Sequence, residues 1–300
     1  MVQHAVADGL DLLDQVAADR EGFDHLPSFG TMPCPGNFVS MAGIDETEKY
    51  PLTGRFLMGR LRHAMTAEEK DIVESLVEET ERIRTPTAVI ERGQLCNKST
   101  ILIEGYLLRT IMEGGQRYVV GMHVPGDFAD LHCFALKRLD HNVVTIGETL
   151  VGYVSHRRLE EVVAKYPHLT RLLWFSTLLD AAIHRQWILK MEQLAAPRRV
   201  AHVFAELWHR LDLVGLGRRD GLRTPLIQAD LADMCGTTAI HMNRALGLMR
   251  KEGIGEFRRG ALYVKDRARL EAFAGFNPDY LYGEGGLRVG GELTPGAKSN

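Results

Sequence analysis

Residues 226–264 constrain this chain most, because they combine two short helical patterns with a glycine between them. The first pattern covers residues 228–235, and Gly236 interrupts it because glycine accepts the backbone angles of a sharp turn. Thr238 is a favourable N-cap for a second helix, which the apolar spacing extends over residues 239–252. Residues 256–264, with Gly260 near their centre, predict a short hairpin with a basic tip.

The second predicted helix has two contrasting faces. Its expected core positions recur at helical spacing, and they are Met242, Ala245, Leu246 and Met249. The opposite face carries Ala239, Ile240, His241, Asn243, Arg244 and Lys251. Small and hydrogen-bonding side chains on the first turns of a helix suit the major groove of DNA. A pair of helices with a purely structural role is the alternative interpretation.

The order of these features resembles the winged helix-turn-helix of Crp/Fnr-type transcription regulators. The matching residues are Leu231, Ala232, Gly236, the run His241-Met242-Asn243-Arg244, Leu246, Glu252-Gly253-Ile254 and Tyr263. The resemblance extends over residues 57–282, and it implies that Ala239, Ile240 and Arg244 face base edges. It also implies that the wing residues Arg258 and Arg259 lie near phosphate. The full predicted DNA-binding set is Thr238, Ala239, Ile240, His241, Asn243, Arg244, Arg258 and Arg259.

The sequence departs from the family at two of these positions. Well-studied members have an arginine and a glutamate where this chain has Ala239 and Ile240. These two side chains can make only apolar contacts, for which a thymine methyl group is the natural target. The operator sequence of the family therefore cannot be transferred to this chain.

Composition limits the broad class of the protein. A chain of 300 residues is long enough for two domains, and a net charge of -3 argues against a sequence-blind nucleic-acid coat. The arginines nevertheless cluster in the C-terminal third, as expected for a DNA-binding domain attached to a more acidic sensor. Four scattered cysteines without a C-x-x-C pair predict neither a zinc ribbon nor a disulfide framework. With no long apolar run and no signal-peptide pattern, a cytoplasmic location without a membrane partner is expected.

Residues 87–155 are predicted to be all-β. Short β-branched or aromatic runs at 88–90, 101–103, 106–112, 117–123 and 143–154 alternate with turn signals, which is typical of a barrel or jelly roll. Glycine turns at Gly93, Gly105 and Gly126 resemble those of the cyclic-nucleotide-binding β-roll found in the same family. The N-terminal and C-terminal parts of the chain thus resemble one architecture.

A long, uninterrupted helix is predicted over residues 167–194. Apolar side chains follow a three-four spacing at Leu172, Phe175, Leu179, Ala182, Gln186 and Leu189, and further apolar residues cover other faces. One stripe can pack on the β-roll and another on a second copy of the chain. The resemblance makes this the dimerisation helix, and a core helix of a monomer is the alternative.

The resemblance also locates a candidate ligand pocket in the β-roll. The family holds the sugar phosphate with a Gly-Glu turn and an Arg-Ser pair, whose guanidinium matches phosphate geometry. This chain has Gly126-Asp127 at the turn, and residues 139–142 read Leu-Asp-His-Asn instead of containing the Arg-Ser pair. Arg138 is close, and it completes a weak candidate set with Gly126 and Asp127. We therefore predict no cyclic-nucleotide binding and no cofactor, and the effector stays unassigned.

Several potential metal ligands and nucleophiles are also present. The potential metal ligands are His123, Asp127, Asp130, His132 and His141, and a D-x-H strand pattern would point Asp130 and His132 to one face. They do not form a closed set at a known spacing, so structural roles are favoured and no metal is predicted. The cysteines lack the close spacing that an iron–sulfur cluster needs. Cys133 is expected to be a buried, inert thiol. No catalytic motif is present, so an enzyme is not predicted.

Together these patterns predict an α+β protein. It would have an N-terminal antiparallel, jelly-roll-like β-roll sensor, a long dimerisation helix and a C-terminal winged helix-turn-helix. The predicted divisions are a poorly ordered extension at 1–50, the sensor at 51–160, the dimerisation helix at 161–196, the reader at 197–275 and a flexible tail at 276–300. We expect a homodimeric regulator of a near-palindromic double-stranded operator, with RNA polymerase as a further candidate partner. A β-roll adaptor acting through protein contacts is the alternative.

Overall fold

The computed structural model describes residues 46–283. Only the last residues of the predicted N-terminal extension fall within this range, and they are packed against the body of the protein. Tyr50 is buried, and its hydroxyl donates a hydrogen bond to Asp71 at 3.0 Å. No helix within residues 46–283 is long and apolar enough to cross a membrane.

Five strands form one antiparallel sheet in the N-terminal part. They are β1 (Glu79–Ile83), β2 (Ala88–Ile90), β3 (Lys98–Glu113), β4 (Gln116–His123) and β5 (Asn142–Ser155). The order is β1-β5-β3-β4, and β2 also pairs with β5. The prediction of separate strands at 101–103 and 106–112 was wrong, because β3 runs through both. Gly105 has φ 87°, and register shifts on both sides of Glu104 make an irregular, bulged segment instead of a turn.

Strand β1 was not predicted. Its sequence Glu-Thr-Glu-Arg-Ile lacks alternating apolar residues, and only Ile83 is buried. The strand pairs with β5 from Glu79 opposite Tyr153 to Ile83 opposite Thr149, at one edge of the sheet order. Polar side chains are common on edge strands because they discourage pairing with other chains.

Besides a helical turn at residues 46–49 and two 3-10 helices, eight α-helices accompany the strands within the described residues. They are α1 (Ala67–Leu76), α2 (Cys133–Leu136), α3 (His156–Lys165), α4 (Pro167–Gln193), α5 (Ala196–Leu213), α6 (Gln228–Met234), α7 (Ala239–Lys251) and α8 (Arg267–Ala274). Three short strands, β6 (Gly221–Arg223), β7 (Glu256–Arg258) and β8 (Ala261–Tyr263), form a second sheet in the order β6-β8-β7. The α+β organisation, with an N-terminal antiparallel sheet and a C-terminal helix-turn-helix, is as predicted.

Helix α4 joins two hydrophobic cores. Near its start, Leu169 and Leu172 pack in a cluster with Ile101 of β3 and Val154 of β5. Near its end, Trp187 packs in a cluster that contains the buried face of α5 and the core of α6 and α7. A single helix thus connects the sheet with the C-terminal helices.

The start of the predicted flexible tail is ordered. Residues Pro278–Leu281 form a 3-10 turn, and the Leu281 side chain is fully buried. The carbonyl oxygen of Leu281 accepts a hydrogen bond from Arg60 Nε at 2.9 Å. These contacts join segments that are distant in the sequence, so the local sequence did not indicate them, and residues 284–300 lie outside the described part of the chain.

Candidate nucleic-acid interface

Helix α7 begins as the sequence predicts. Thr238 has an extended backbone, and its side-chain oxygen accepts a hydrogen bond from the backbone N–H of His241 at 3.3 Å. This satisfies one of the free N–H groups of the first turn. Met242 and Met249 are buried on the inner face. Capping and burial therefore fix which side of α7 is available to a ligand.

The outer side of α7 carries all the predicted helix residues of the interface. The exposed set is Thr238, Ala239, Ile240, His241, Asn243 and Arg244. Ile240 is 67% exposed, although it is a large apolar side chain on an otherwise polar face. An exposed isoleucine can make only apolar contacts, and a thymine methyl group is one suitable partner.

The turn between α6 and α7 requires glycine. Gly236 has φ 56°, and a Cβ atom there would lie 2.3 Å from Cε of Met191 on α4. Gln228 Nε2 on α6 donates to the carbonyl oxygen of Ala239 at 3.0 Å, which ties the two helices together. The turn is thus packed closely against the end of α4.

The predicted hairpin forms the wing. Arg259 and Gly260 connect β7 to β8, and both have positive φ, at 49° and 77°. Arg258 is exposed, and its Nη2 lies 2.6 Å from Oε1 of Glu256. Arg250 at the end of α7 lies 3.8 Å from the same carboxylate oxygen. The wing therefore presents arginines that are partly neutralised by one glutamate.

Arg223 extends this basic surface and was not among the predicted interface residues. It ends β6, which pairs with β8, and it lines an open groove together with Tyr106, Arg258 and Arg259. The Tyr106 hydroxyl donates to the carbonyl oxygen of Arg223 at 3.1 Å. A strand of three residues is too short to show a periodic pattern in the sequence. The clustering of arginines in this part of the chain was therefore the only sequence feature that indicated a role for Arg223 in the interface.

Two ion pairs link the first sheet to α6. Arg117 on β4 places Nη2 2.6 Å from Oδ1 of Asp230 and Nε 2.7 Å from Oδ2 of Asp233. Strand β5 also contacts the segment before α6, because a Cβ atom on Gly147 would lie 2.8 Å from Pro225. We call the contact of Arg117 with Asp230 and Asp233 the sheet–reader clamp.

The candidate ligand turn of the sheet is occupied by protein contacts. Asp127 Oδ2 accepts from the backbone N–H of Val124 at 3.0 Å and from Arg210 Nη2 on α5 at 2.7 Å. Burial alone would raise the pKa of Asp127, but the Arg210 guanidinium outweighs it and holds that pKa well below its usual range. Gly126 is required here, because a Cβ atom would lie 2.4 Å from the carbonyl oxygen of Arg55.

Arg138 does not join this turn. Its Nη1 donates to the carbonyl oxygen of Gly93 at 2.5 Å, and it is absent from the cavity that Gly126 and Asp127 line. Its grouping with the turn rested on sequence proximity, and the structure gives it a different partner. Arg210 is the counter-ion of Asp127 instead. The two residues are 83 positions apart, so the sequence around Asp127 did not indicate this partner.

A second buried arginine lies between β3 and α4. Arg109 Nη1 lies 2.6 Å from Oδ2 of Asp180, and its Nη2 donates to the carbonyl oxygen of Ala129 at 2.7 Å. His184 Nε2 lies 3.4 Å from the same Nη1. The inner face of the sheet is therefore linked to the long helix by a charge pair, which the sequence did not reveal.

The five potential metal ligands lie as two pairs, His123 with Asp127 at 3.7 Å and His132 with His141, and Asp130 has its own contacts. Asp130 lies in the loop before α2, not on a strand as the D-x-H pattern suggested, and accepts from the backbone N–H of Thr100 at 2.5 Å. Burial raises the pKa of Asp130 to about 7. The rings of His132 and His141 are 5.9 Å apart. Across residues 46–283, no three of these side-chain types are grouped to hold a metal ion.

Helix α4 leaves an apolar stripe uncovered. Its exposed large apolar residues are Trp174, Leu178, Ile188 and Leu189, with Trp174 at 64% and Ile188 at 66% exposure. The seam expected at Leu172, Leu179 and Ala182 instead faces the protein's own core. Periodicity identified the helix, but it could not distinguish which of its apolar stripes covers the sheet.

Sequence comparison finds a family model and two relatives that match this chain. A family model for the Crp-like helix-turn-helix domain matches residues 198–273. Transcriptional activator protein FnrL of Cereibacter sphaeroides is 29% identical over 188 residues, which are 61% of this chain and 72% of that protein. Nitrogen fixation regulation protein FixK of Bradyrhizobium diazoefficiens is 24% identical over 174 residues, covering 58% and 72%. The adaptor alternative gains no support from these relatives.

Solved structures share the fold. FixK2 from Bradyrhizobium japonicum matches with a TM-score of 0.58 at 20% identity, over 65% of this chain and 96% of that chain. TTHB099, a CRP-family transcriptional regulator from Thermus thermophilus, matches with a TM-score of 0.55 at 17% identity, over 65% and 97%. Both similarities show the fold alone, that is, the arrangement of helices and strands.

Proposed function

Because the chain belongs to the Crp/Fnr family of transcription regulators, we propose that it binds a specific double-stranded DNA operator as a homodimer. The observation that carries the proposal is the outer side of α7, where capped first turns expose Ile240, Asn243 and Arg244. A helix of this kind fits the major groove, and its first turns reach the base edges.

The interface residues have different roles. Arg244 can donate to guanine O6 and N7 together, a contact worth about 1–3 kcal/mol of base discrimination. Ala239 and Ile240 contact thymine methyl groups. Arg258 and Arg259 lie on the wing, from which phosphate is within reach, and phosphate contacts position a protein without reading sequence. Thr238, His241 and Asn243 complete the surface.

The dimer is proposed to form along α4. Trp174, Leu178 and Ile188 recur on one side of the helix and are exposed in the single chain. Two such helices, packed around a two-fold axis, would bury both stripes through the same surface on each chain. A two-fold dimer then reads a near-palindromic operator, with half-sites about 34–36 Å apart.

The sheet domain is proposed to act as a sensor that has lost cyclic-nucleotide binding. Asp127 is already paired with Arg210, and Arg138 donates to Gly93 instead of offering a phosphate clamp. The effector remains unassigned. A ligand that favours one packing of α4 would shift the separation of the two α7 helices by population shift. Contact with RNA polymerase and a cytoplasmic location stay predictions.

Genomic footprinting of the tagged protein would supply the operator, and two variants then test the docking. Arg244→Ala should weaken operator binding about tenfold or more while sparing random duplex. Arg258→Ala should weaken both and lower the salt slope by about 1, the contribution of one phosphate contact. Arg157→Ala, an exposed arginine of α3 beside Glu161, is the matched control. An unchanged ratio of operator to random binding in Arg244→Ala would contradict the proposal.

A further inference from the structure

Two cysteines of the sheet domain lie in the same hydrophobic cluster. Cys133 is the first residue of α2 and is fully buried, and Cys96, in the segment before β3, is half-buried against that cluster. The two residues are 37 positions apart in the sequence. Neither forms a disulfide in the structure, so both are available as thiols.

The backbone holds the two cysteines beside each other through Lys137. The amide N–H of Cys96 donates to the carbonyl oxygen of Lys137 at 2.8 Å. The amide N–H of Lys137 in turn donates to the carbonyl oxygen of Cys133 at 2.8 Å. The segment 95–96 therefore runs alongside the end of the short helix that begins with Cys133. The proximity is set by main-chain hydrogen bonds and does not depend on either side chain.

The two thiols have different surroundings. The Cys96 thiol donates to the carbonyl oxygen of Gln94 at 3.6 Å. Burial, together with the neighbouring Cys96 thiol, raises the pKa of the Cys133 thiol to about 12. The Cys133 thiol is therefore protonated, and Cys96 is the sulfur with access to solvent.

We propose that Cys96 and Cys133 are a dithiol modification site, which a peroxide converts to an intrachain disulfide. Cys96 loses its thiol proton, the resulting thiolate attacks one peroxide oxygen, and the O–O bond breaks. Cys96 becomes a sulfenic acid, and the departing hydroxide takes up the proton that Cys96 lost, which gives the first water. The Cys133 sulfur then attacks the Cys96 sulfur and the S–O bond breaks. The Cys133 proton passes to the departing hydroxide, giving the second water. Two thiols lose two electrons, and one peroxide is reduced to two waters.

The two sulfurs have distinct tasks in this scheme. Accessible thiols react first with oxidants, whereas a buried, protonated thiol reacts poorly. Cys96 is accordingly the residue that meets the oxidant, and Cys133 is the resolving residue. Cys235 is buried in the separate cluster of α6 and α7, where burial raises its thiol pKa to about 11. It serves as an internal reference that should not be oxidised.

The test uses the full chain treated with hydrogen peroxide, then alkylated and digested with trypsin. The segment 93–98 contains Cys96 and the segment 118–137 contains Cys133, and both are bounded by tryptic sites. Mass spectrometry should find these peptides joined and lighter than their sum by two hydrogen atoms. The peptide 224–244, with Cys235, should be recovered alkylated.

Cys96→Ser and Cys133→Ala provide the matched variants, and circular dichroism checks that each is folded. Cys96→Ser should abolish the link and leave Cys133 alkylatable after denaturation. Cys133→Ala should leave a sulfenic acid at Cys96 that dimedone traps. The proposal is overturned if wild-type Cys96 accumulates as sulfenic acid without a link, if it joins Cys34 in peptide 21–49 instead, or if Cys235 is oxidised first.

Discussion

The sheet–reader clamp should contribute measurably to folding stability. Arg117 is 37% exposed, Asp233 is 26% exposed and Asp230 is 6% exposed, so the guanidinium contacts one partly open and one buried carboxylate. Exposed ion pairs contribute about 0.2–1 kcal/mol. We expect a coupling free energy of about 1 kcal/mol between Arg117 and Asp233, because solvent reaches this ion pair only in part and its N–O distance is 2.7 Å.

Removing Arg117 should cost more than this coupling alone. Arg117→Ala leaves Asp230 buried without its counter-ion, although the backbone N–H of Ile227 still donates to Asp230 at 3.0 Å. A buried charged group that loses one partner costs about 1–3 kcal/mol. We therefore expect Arg117→Ala to lower the free energy of unfolding by about 2 kcal/mol, most of it through Asp230.

A double-mutant cycle separates these contributions. Urea unfolding of wild type, Arg117→Ala, Asp233→Ala and the double variant yields the coupling directly. Arg82→Ala is the control, since Arg82 pairs with Glu104 and Glu148 on the same sheet. Its loss should cost under about 1 kcal/mol, because that pair is well exposed. A coupling below about 0.2 kcal/mol, or an Arg117→Ala effect no larger than that of Arg82→Ala, would refute the reasoning.

Three further measurements test other parts of the molecule. Trp174→Glu should convert the proposed dimer to a 33.6 kDa monomer in sedimentation at micromolar concentration, and a wild-type monomer would remove the dimer proposal. Cyclic AMP should leave the melting temperature unchanged, and a saturable rise would restore a nucleotide pocket. Burial lowers the pKa of His123 and His202 to about 4, so stability should be lost as pH falls from 6.5 to 4. Burial lowers the pKa of His132 and His209 to about 4 as well, so these two add to the loss, whereas Asp130, with a pKa of about 7, offsets one of the four histidines. A flat titration would contradict these assignments.

Local chemistry determined what could be predicted from the sequence. The N-cap at Thr238 and the turn at Gly236 each depend on a few neighbouring residues, and the structure has both. The face of α7 follows from helical periodicity, so its exposed residues could be listed in advance. The strands β4 and β5 were likewise found from β-branched runs.

Long-range pairing accounts for most of what was missed. Arg117 is 113 residues from Asp230, and Asp127 is 83 residues from Arg210. No periodic pattern indicates such partners, because each depends on how separate elements pack. Strand β1 was missed for a different reason, since its polar sequence is suited to an edge and resembles a loop. The bulge at Gly105 was mistaken for a turn because a positive φ is common to both.

The buried carboxylate of Glu206 limits how this molecule can be divided. It accepts hydrogen bonds from Trp187 Nε1 at 3.1 Å and from the Tyr280 hydroxyl at 2.7 Å. Trp187 precedes residue 197 and Tyr280 follows residue 275, so a fragment cut at the sequence-based limits of the reader loses both donors. Arg210 in that fragment also loses Asp127. A chimera that carries this reader onto another sensor must therefore keep the end of α4 and residues 276–282, or Glu206 is left with Arg210 as its remaining side-chain partner.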